Sequence, residues 1–319
     1  MLQLKMMKQE EKVKEKYFDL VIIGGGPAGL TAGIYAGRAR LKTVIIEEMI
    51  AGGQSATTEH LENYPGFKDG VGGVELAMIM EEQAKRFGTE VIYDKVVSVK
   101  LSSEEKEVYL SSSVIKAKTV IIASGAIPRR LKIDGADKFH GKGISYCATC
   151  DGALFRDKRI LIVGAGNSAV EEGIFMQRFT SDITFVQDLP YLTAEKILQE
   201  RIKSYPKTKF YLGTLVKSIN GKENVESVTL KVTKDNSEIT IPADGVFVYI
   251  GYNPKTEFLG GEVKLNDQGY IITNDDLKTN IDGVYAAGDV RVKDFRQVIT
   301  AASDGAIAAH SAEKYLENK

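Results

Sequence analysis

The chain has 319 residues, enough for two domains at roughly 150 residues each. Hydrophobic residues make up 43% and charged residues 27%, with 31 Gly and 7 Pro, which excludes a disordered, collagen-like or low-complexity chain. With 42 Lys+Arg against 43 Asp+Glu the net charge is -1, so no field of one sign is present to draw a polyanion, and nucleic acid is not expected as a partner. No apolar run reaches the ~18 residues of a membrane span.

Residues 1–16, MLQLKMMKQEEKVKEK, are mostly charged and lack the apolar core of a secretory signal. They read as a solvated tail, and the cytoplasm is the expected location. Tyr17–Ile23 is then a β-rich apolar run that leads into Gly24-Gly-Gly-Pro27-Ala28-Gly29. A small-residue helix follows to about Ala39, then a second β run, Thr43–Ile46, ending at Glu47 and Glu48. Residues 90–117 alternate apolar and polar positions and read as a β-meander, and Thr119–Gly125 as a buried strand ending in glycine. The first pattern then returns: Arg159–Val163, Gly164-Ala-Gly166-Asn167-Ser168-Ala169, a helix to about Arg178, and Ile183–Val186. Residues 208–249 read as a second meander, closed by Val246–Gly251, and Gln297–Leu316 as a helix. The fold expected is α/β with two Rossmann-like dinucleotide-binding domains.

In Gly24-x-Gly26-x-x-Gly29 the first glycine permits the tight turn, the second lets backbone approach a pyrophosphate, and the third lets helix and strand pack closely. The helix start offers free N–H groups and a favourable dipole to the diphosphate. Glu47, about 20 residues on, is placed for ribose hydroxyls. Gly164-x-Gly166-x-x-Ala169 is the variant with alanine third. Gln187 and Asp188 close its second strand, and no arginine stands where a 2′-phosphate would need one. Asp188 would repel that phosphate and accept from a free 2′-hydroxyl, so NADH is expected over NADPH.

The chain has two cysteines, Cys147 and Cys150, in Cys147-Ala-Thr-Cys150-Asp151-Gly152. That spacing brings two sulfurs within disulfide range and activates a thiol. A zinc site would need two more ligands, and the chain offers only His60, His140 and His310 besides carboxylates, so no metal is expected. Asp151 stands beside the pair as a proton donor or acceptor.

CATCDG between two glycine motifs closely resembles the low-molecular-weight thioredoxin reductases, FAD-dependent pyridine nucleotide-disulfide oxidoreductases of bacterial and archaeal type. GGGPAG, GGQ at 52–54, ENYPG at 62–66, GAGNSA, GVYAAGDV and RQ at 296–297 belong to the same likeness, which runs from about Tyr17 to Leu316. The resemblance implies three-layer β-β-α domains: an FAD domain over 17–128 and 256–319, with a pyridine-nucleotide domain, 129–255, inserted in it and carrying the dithiol. It implies that Gly53, Gln54 and Asn63 lie along FAD, that Asp289 binds the ribityl chain, and that Arg296 and Gln297 lie near the flavin ring. Cys150 would be the sulfur nearer the flavin, Cys147 the one that exchanges with thioredoxin or a thioredoxin-like protein, and Asp151 the proton shuttle. A homodimer is implied, as is rotation of the inserted domain about linkers near Pro128 and Gly251–Pro254.

One departure stands out. The family's H-R-R-x-x-x-R grips the NADPH 2′-phosphate, but the matching positions here are Gln187, Asp188, Leu189 and Thr193, none basic. That is compatible with NADH, and also with ferredoxin or a deazaflavin as donor. Rival readings are the reductase of a peroxiredoxin system, a ferredoxin–NADP reductase, which the cysteine pair opposes, and a non-catalytic redox-sensing flavoprotein.

Overall fold

A computed structural model describes residues 15–319. The tail expected over 1–16 lies outside the described residues as far as residue 14. Glu15 and Lys16 correct its boundary: they begin strand β1 (Glu15–Ile23), where they pair with Val114 and Ile115.

Helix α1 (Pro27–Arg38) follows the first glycine turn, with Pro27 at its first turn, where a missing N–H costs nothing. Strand β2 (Thr43–Glu47) returns parallel to β1. Helix α2 (Gly73–Arg86) was not read from the sequence. Its inward Leu76, Ala77, Met80 and Ala84 have helical spacing, but exposed Val74, Met78 and Ile79 blur the periodicity. Strand β3 (Glu90–Tyr93) corrects the expected meander: it pairs parallel to β2 and extends the main sheet. The antiparallel part is β4 (Val96–Lys100), β5 (Lys106–Leu110) and the first half of β6 (Val114–Ile122), which on its other edge runs parallel to β1 along its whole length.

The chain leaves this unit through β7 (Ala126–Pro128). The second unit opens with β8 (Ile144–Ser145), the short helix α3 (Ala148–Asp151), β9 (Ile160–Val163), α4 (Asn167–Met176) and β10 (Ile183–Gln187). Helix α5 (Lys196–Lys203) also escaped the sequence reading, and β11 (Lys209–Leu212) joins the parallel sheet rather than the meander. The meander itself is β12 (Thr214–Asn220), β13 (Ser227–Val232) and β14 (Glu238–Pro242). Strand β15 (Gly245–Val248) then runs parallel between β9 and β8. The return passes through β16 (Tyr252–Pro254), paired with β7, and ends with β17 (Val284–Ala286) against β6 and helix α6 (Val298–Glu317).

The described residues up to Ala126 together with Pro254–Lys319 form one compact unit, and Ile127–Asn253 the other. The division falls two residues before each boundary drawn from the sequence, within the β7–β16 ribbon. The first unit has a seven-stranded sheet ordered β3-β2-β1-β6-β5-β4, with β17 also on β6. The second has a five-stranded parallel sheet, β11-β10-β9-β15-β8, and the three-stranded meander.

Each parallel sheet is covered on both faces, which is why its strands are unbroken runs of Val, Ile and Leu. Leu20 and Ile22 of β1 pack on the helix side with Leu30 of α1 and Ala308 of α6, while Val21 and Ile23 pack on the meander side with Val108 and Ile115. In the second unit Ile160 and Ile162 meet Val170 of α4 and Ile202 of α5, and Leu161 and Val163 meet Val216 and Leu230 of the meander. Each such side chain contributes about 1.5–3 kcal/mol on full burial. Both units are therefore three-layer β-β-α sandwiches built around a parallel sheet.

Candidate active site

The first glycine turn is fixed by contacts that leave no room for a side chain. Gly24 has φ +109°, and a Cβ there would lie 2.3 Å from the Ala123 carbonyl oxygen. A Cβ on Gly29 would lie 1.9 Å from the Gly24 carbonyl oxygen, so α1 sits directly on the turn. Gly26 caps α1 with no side-chain hydrogen bond, which leaves its first-turn amides as donors. Glu47 reaches back across this turn. One carboxylate oxygen accepts from Gly25 N–H at 2.6 Å and the other from Met49 N–H at 3.0 Å, and each keeps a lone pair for a further donor.

Other expected residues of this unit gather from distant parts of the chain. The Asn63 amide donates to Gln297 Oε1 at 3.1 Å across 234 residues. Gly53 and Gln54 are exposed at the start of a short 3-10 turn after Gly52, whose N–H donates to Gly25 O. Asp289 and Arg296 each hold a buried polar atom, Oδ1 and Nε, with no hydrogen-bond partner. Burial raises the Asp289 carboxyl above its ordinary pKa, against the opposing charges of Lys293 and Arg296. The Arg296 guanidinium lies 4.4 Å from the Tyr270 ring centroid. An unmatched buried acceptor and an unmatched buried donor are costly in a finished site. They fit a ligand rich in hydroxyl and carbonyl groups, such as FAD.

What holds that wall is not visible in the sequence. Asp304 of α6 is 6% exposed and accepts from Gly288 N–H at 3.0 Å, Arg291 Nε at 2.9 Å and Lys293 Nζ at 2.8 Å. It ties the segment carrying Asp289 to α6. A single Asp in an alanine-rich helix was the only signal, and its cations lie 11 and 13 residues away.

In the second unit Cys147 and Cys150 form a disulfide, with Cα atoms 5.4 Å apart. Cys147 is the N-cap of α3, and its Sγ accepts from Cys150 N–H at 3.1 Å, an arrangement that favours negative charge on that sulfur. Cys150 is the more exposed of the two. Ser145, two residues before the motif, is buried and was also missed. Its hydroxyl accepts from Cys147 N–H at 3.1 Å and donates to Asp151 Oδ2 at 2.6 Å, which holds the carboxylate beside the disulfide. The Tyr249 hydroxyl accepts from Ala148 N–H at 3.0 Å.

The second glycine turn repeats the first with differences. Gly164 has φ +111°, and a Cβ there would lie 2.1 Å from the Tyr249 carbonyl oxygen. Gly166 caps α4, and the buried Ala169 fits where the first unit needs glycine. Asn167 is taken up by Glu195: its Oδ1 accepts from Glu195 N–H at 2.8 Å, and its amide donates to Glu195 Oε1 at 3.1 Å. Ser168 lies in the first turn of α4. Asp188 is exposed, and its Oδ1 accepts from Leu189 N–H at 3.0 Å, so unlike Glu47 it folds back on its own turn. Gln187 is buried, while Leu189, Thr193 and Lys196 are exposed. Among the described residues no group of three or more His, Cys, Asp or Glu could hold a metal ion, and no helix is long and apolar enough to cross a membrane.

The profile of the pyridine nucleotide-disulphide oxidoreductases matches residues 18–305, nearly the whole of both units. The chain belongs to this family. Within this FAD-binding family it is similar to thioredoxin reductases. It is 45% identical to that of Peptoclostridium acidaminophilum, over 95% of this chain and 98% of the relative, and 45% identical to that of Bacillus subtilis (strain 168), over 95% and 96%. The crystal structure of Lactococcus lactis thioredoxin reductase (FR conformation) superposes with a TM-score of 0.93 at 39% identity, covering 95% of this chain and all of that one. A ferredoxin-flavin thioredoxin reductase from Clostridium acetobutylicum is more distant, at 28% identity and TM-score 0.53 over 96% of this chain and 100% of that one. The protein is thus an enzyme of the thioredoxin reductase type, a flavin-dependent disulfide oxidoreductase.

Proposed function

We propose that this oxidoreductase carries electrons from NADH to the disulfide of thioredoxin or a thioredoxin-like protein, through FAD held by the first unit and the Cys147–Cys150 pair of the second. The observation that carries the reading is the disulfide itself: one sulfur at a helix N-cap, with a carboxylate held beside it by Ser145.

FAD, when bound, supplies two-electron transfer between a nucleotide and a disulfide. Gly24, Gly26, Pro27, Ala28 and Gly29 would receive its diphosphate, Glu47 a ribose, and Asp289, Arg296 and Gln297 the remainder, with Gly53, Gln54 and Asn63 alongside. The unmatched Asp289 Oδ1 and Arg296 Nε support that placement. Gly164, Gly166, Asn167, Ser168 and Ala169 would hold the pyridine nucleotide, with Asp188 at its ribose.

In the reduced pair, the Cys147 thiolate attacks one sulfur of the partner's disulfide. A mixed disulfide forms, and the partner's other sulfur leaves as a thiolate. Asp151 supplies a proton to the departing sulfur. Cys150 then attacks Cys147 Sγ, which restores the internal disulfide and releases the second thiol. The partner gains two electrons from the pair and two protons, one from Asp151 and one from the Cys150 thiol.

Replacing Cys150 by Ser tests this directly. In the FAD-loaded variant, flavin bleaching by the electron donor should persist, and thioredoxin reduction should fall at least a thousandfold. A Cys150→Ser protein that still turned over thioredoxin would sink the assignment.

The donor has a second reading. None of Gln187, Asp188, Leu189 and Thr193 is basic, and the Clostridium acetobutylicum relative is named for ferredoxin. Ferredoxin would replace NADH if the second glycine turn persists for packing alone. A cytoplasmic homodimer belongs to the same proposal. The exposed Val74 and Met78 of α2, one helical turn apart, form an apolar row that a second copy would cover, and sedimentation of the FAD-loaded protein reads its mass directly.

A further inference from the structure

One titratable side chain outside the sequence motif touches its backbone. Tyr249 follows β15, its carbonyl oxygen packs against Gly164, and its side chain packs against the helix-side cluster to which Ile162, Val170 and Phe247 belong. Its hydroxyl accepts from Ala148 N–H at 3.0 Å. Burial first, and then the charge of Glu172, raise its pKa far above the ordinary tyrosine value, so the hydroxyl stays neutral at any working pH.

Three amides of the motif are held by side chains. Cys147 N–H donates to Ser145 Oγ, Ala148 N–H to Tyr249 Oη, and Cys150 N–H to Cys147 Sγ. The third bond depends on the state of the sulfur. The other two end on hydroxyls that no redox step alters. In a Cys-x-x-Cys pair, disulfide closure is favoured in proportion to how often the dithiol already holds its sulfurs in reach. An anchor from outside the turn keeps that fraction high.

We propose that Tyr249 is a positioning residue for the redox pair: its hydroxyl holds the Ala148 amide in both redox states, keeps the turn closed after reduction, and so sets the balance between dithiol and disulfide. The proposal rests on the reading of Cys147–Cys150 as an exchanging pair.

The test is equilibration of full-length, FAD-loaded wild type and Tyr249→Phe with mixtures of reduced and oxidised dithiothreitol, read by alkylation and mass spectrometry. In that exchange the protein disulfide accepts two electrons and two protons, and dithiothreitol closes to its cyclic disulfide. Phenylalanine keeps the ring in its cluster and removes only the hydroxyl. The variant's disulfide should be three- to tenfold easier to reduce, and tenfold is about 30 mV for a two-electron couple. Equal constants, in proteins that both exchange, would overturn the role of Tyr249 and leave the pair's own role standing. A wild-type disulfide that no dithiol reduces would overturn both. A second measurement needs no variant: the Ala148 amide of the wild type should stay protected from hydrogen exchange after reduction, and loss of that protection would contradict the proposal.

Discussion

The two glycine modules have the same plan and different finish. In the first, Glu47 reaches across the turn to Gly25, the third glycine lets the helix touch the turn, and unmatched polar atoms of Asp289 and Arg296 complete the wall. In the second, Ala169 stands third, Asp188 bonds its own neighbour, and Asn167 at the helix start is occupied by Glu195. On the proposed reading the first module encloses a ligand that stays. The second offers a cradle with an open, acidic end, as suits a ligand that comes and goes. Hydrogen bonds from Ser145 and Tyr249 instead hold its Cys147–Cys150 turn.

The first module depends most on Asp304, which has two cations and a backbone amide on one buried carboxylate. Asp304→Asn should cost about 3–5 kcal/mol, because it leaves buried positive charge poorly matched. Urea unfolding should show the loss in the transition of the first unit, together with weakened FAD retention. Next is Gly29→Ala, whose Cβ would meet backbone at 1.9 Å. It should cost about 1–3 kcal/mol from overpacking and yield protein that purifies without flavin colour. The second module already carries alanine at the matching position, so Ala169→Gly should leave flavin content untouched.

Asp289→Asn sharpens the contrast further. A hydrogen bond to a charged group is worth about 1.5–3 kcal/mol, so FAD affinity measured by fluorescence should fall roughly 10- to 100-fold. At the open end of the second module, Asp188→Arg should raise the preference for NADPH over NADH about tenfold or more, by removing a repelling carboxylate and adding a phosphate partner. An unchanged ratio would show that no nucleotide ribose reaches this strand end.

The smallest effect concerns stability at the opposite end of the second sheet. There the Arg159 guanidinium donates to both Asp244 oxygens, at 2.9 and 2.6 Å, and its hydrogen bonding holds the carboxyl at about 2 against an ordinary 3.8. The folded value is the lower one. The pair's stabilisation is therefore complete above about pH 4 and is lost as pH falls through about 2. Arg159 is partly exposed, so Asp244→Asn should cost no more than about 1 kcal/mol at pH 7, and the difference from wild type should vanish only below about pH 2.

Much of this was legible in the sequence because it is local. A strand, a glycine turn, a helix and a second strand declare themselves within about 30 residues, and Cys147, Cys150 and Asp151 sit within five. What escaped is what only folding brings together. Tyr249 is an ordinary strand-end aromatic until β15 lies beside β8. Ser145 is two residues from the motif, yet nothing in the sequence says that its hydroxyl turns toward Asp151. Asp304 reads as one polar residue among several in an alanine-rich helix until the segment from Gly288 to Lys293 folds against it. Helices α2 and α5 escaped for another reason: each buries a narrow stripe and exposes apolar residues such as Met78 and Ile197, which masks the period.

The donor proposed for the second module is a pyridine nucleotide that lacks a 2′-phosphate. The most direct measurement is anaerobic mixing of the FAD-loaded protein with NADH, NADPH or reduced ferredoxin, each alone, following the flavin absorbance. Rapid bleaching by NADH and slow bleaching by NADPH is the predicted result. Bleaching by ferredoxin with none from either nucleotide would contradict it, and would make the Gly164–Ala169 turn a packing element that no longer serves a donor.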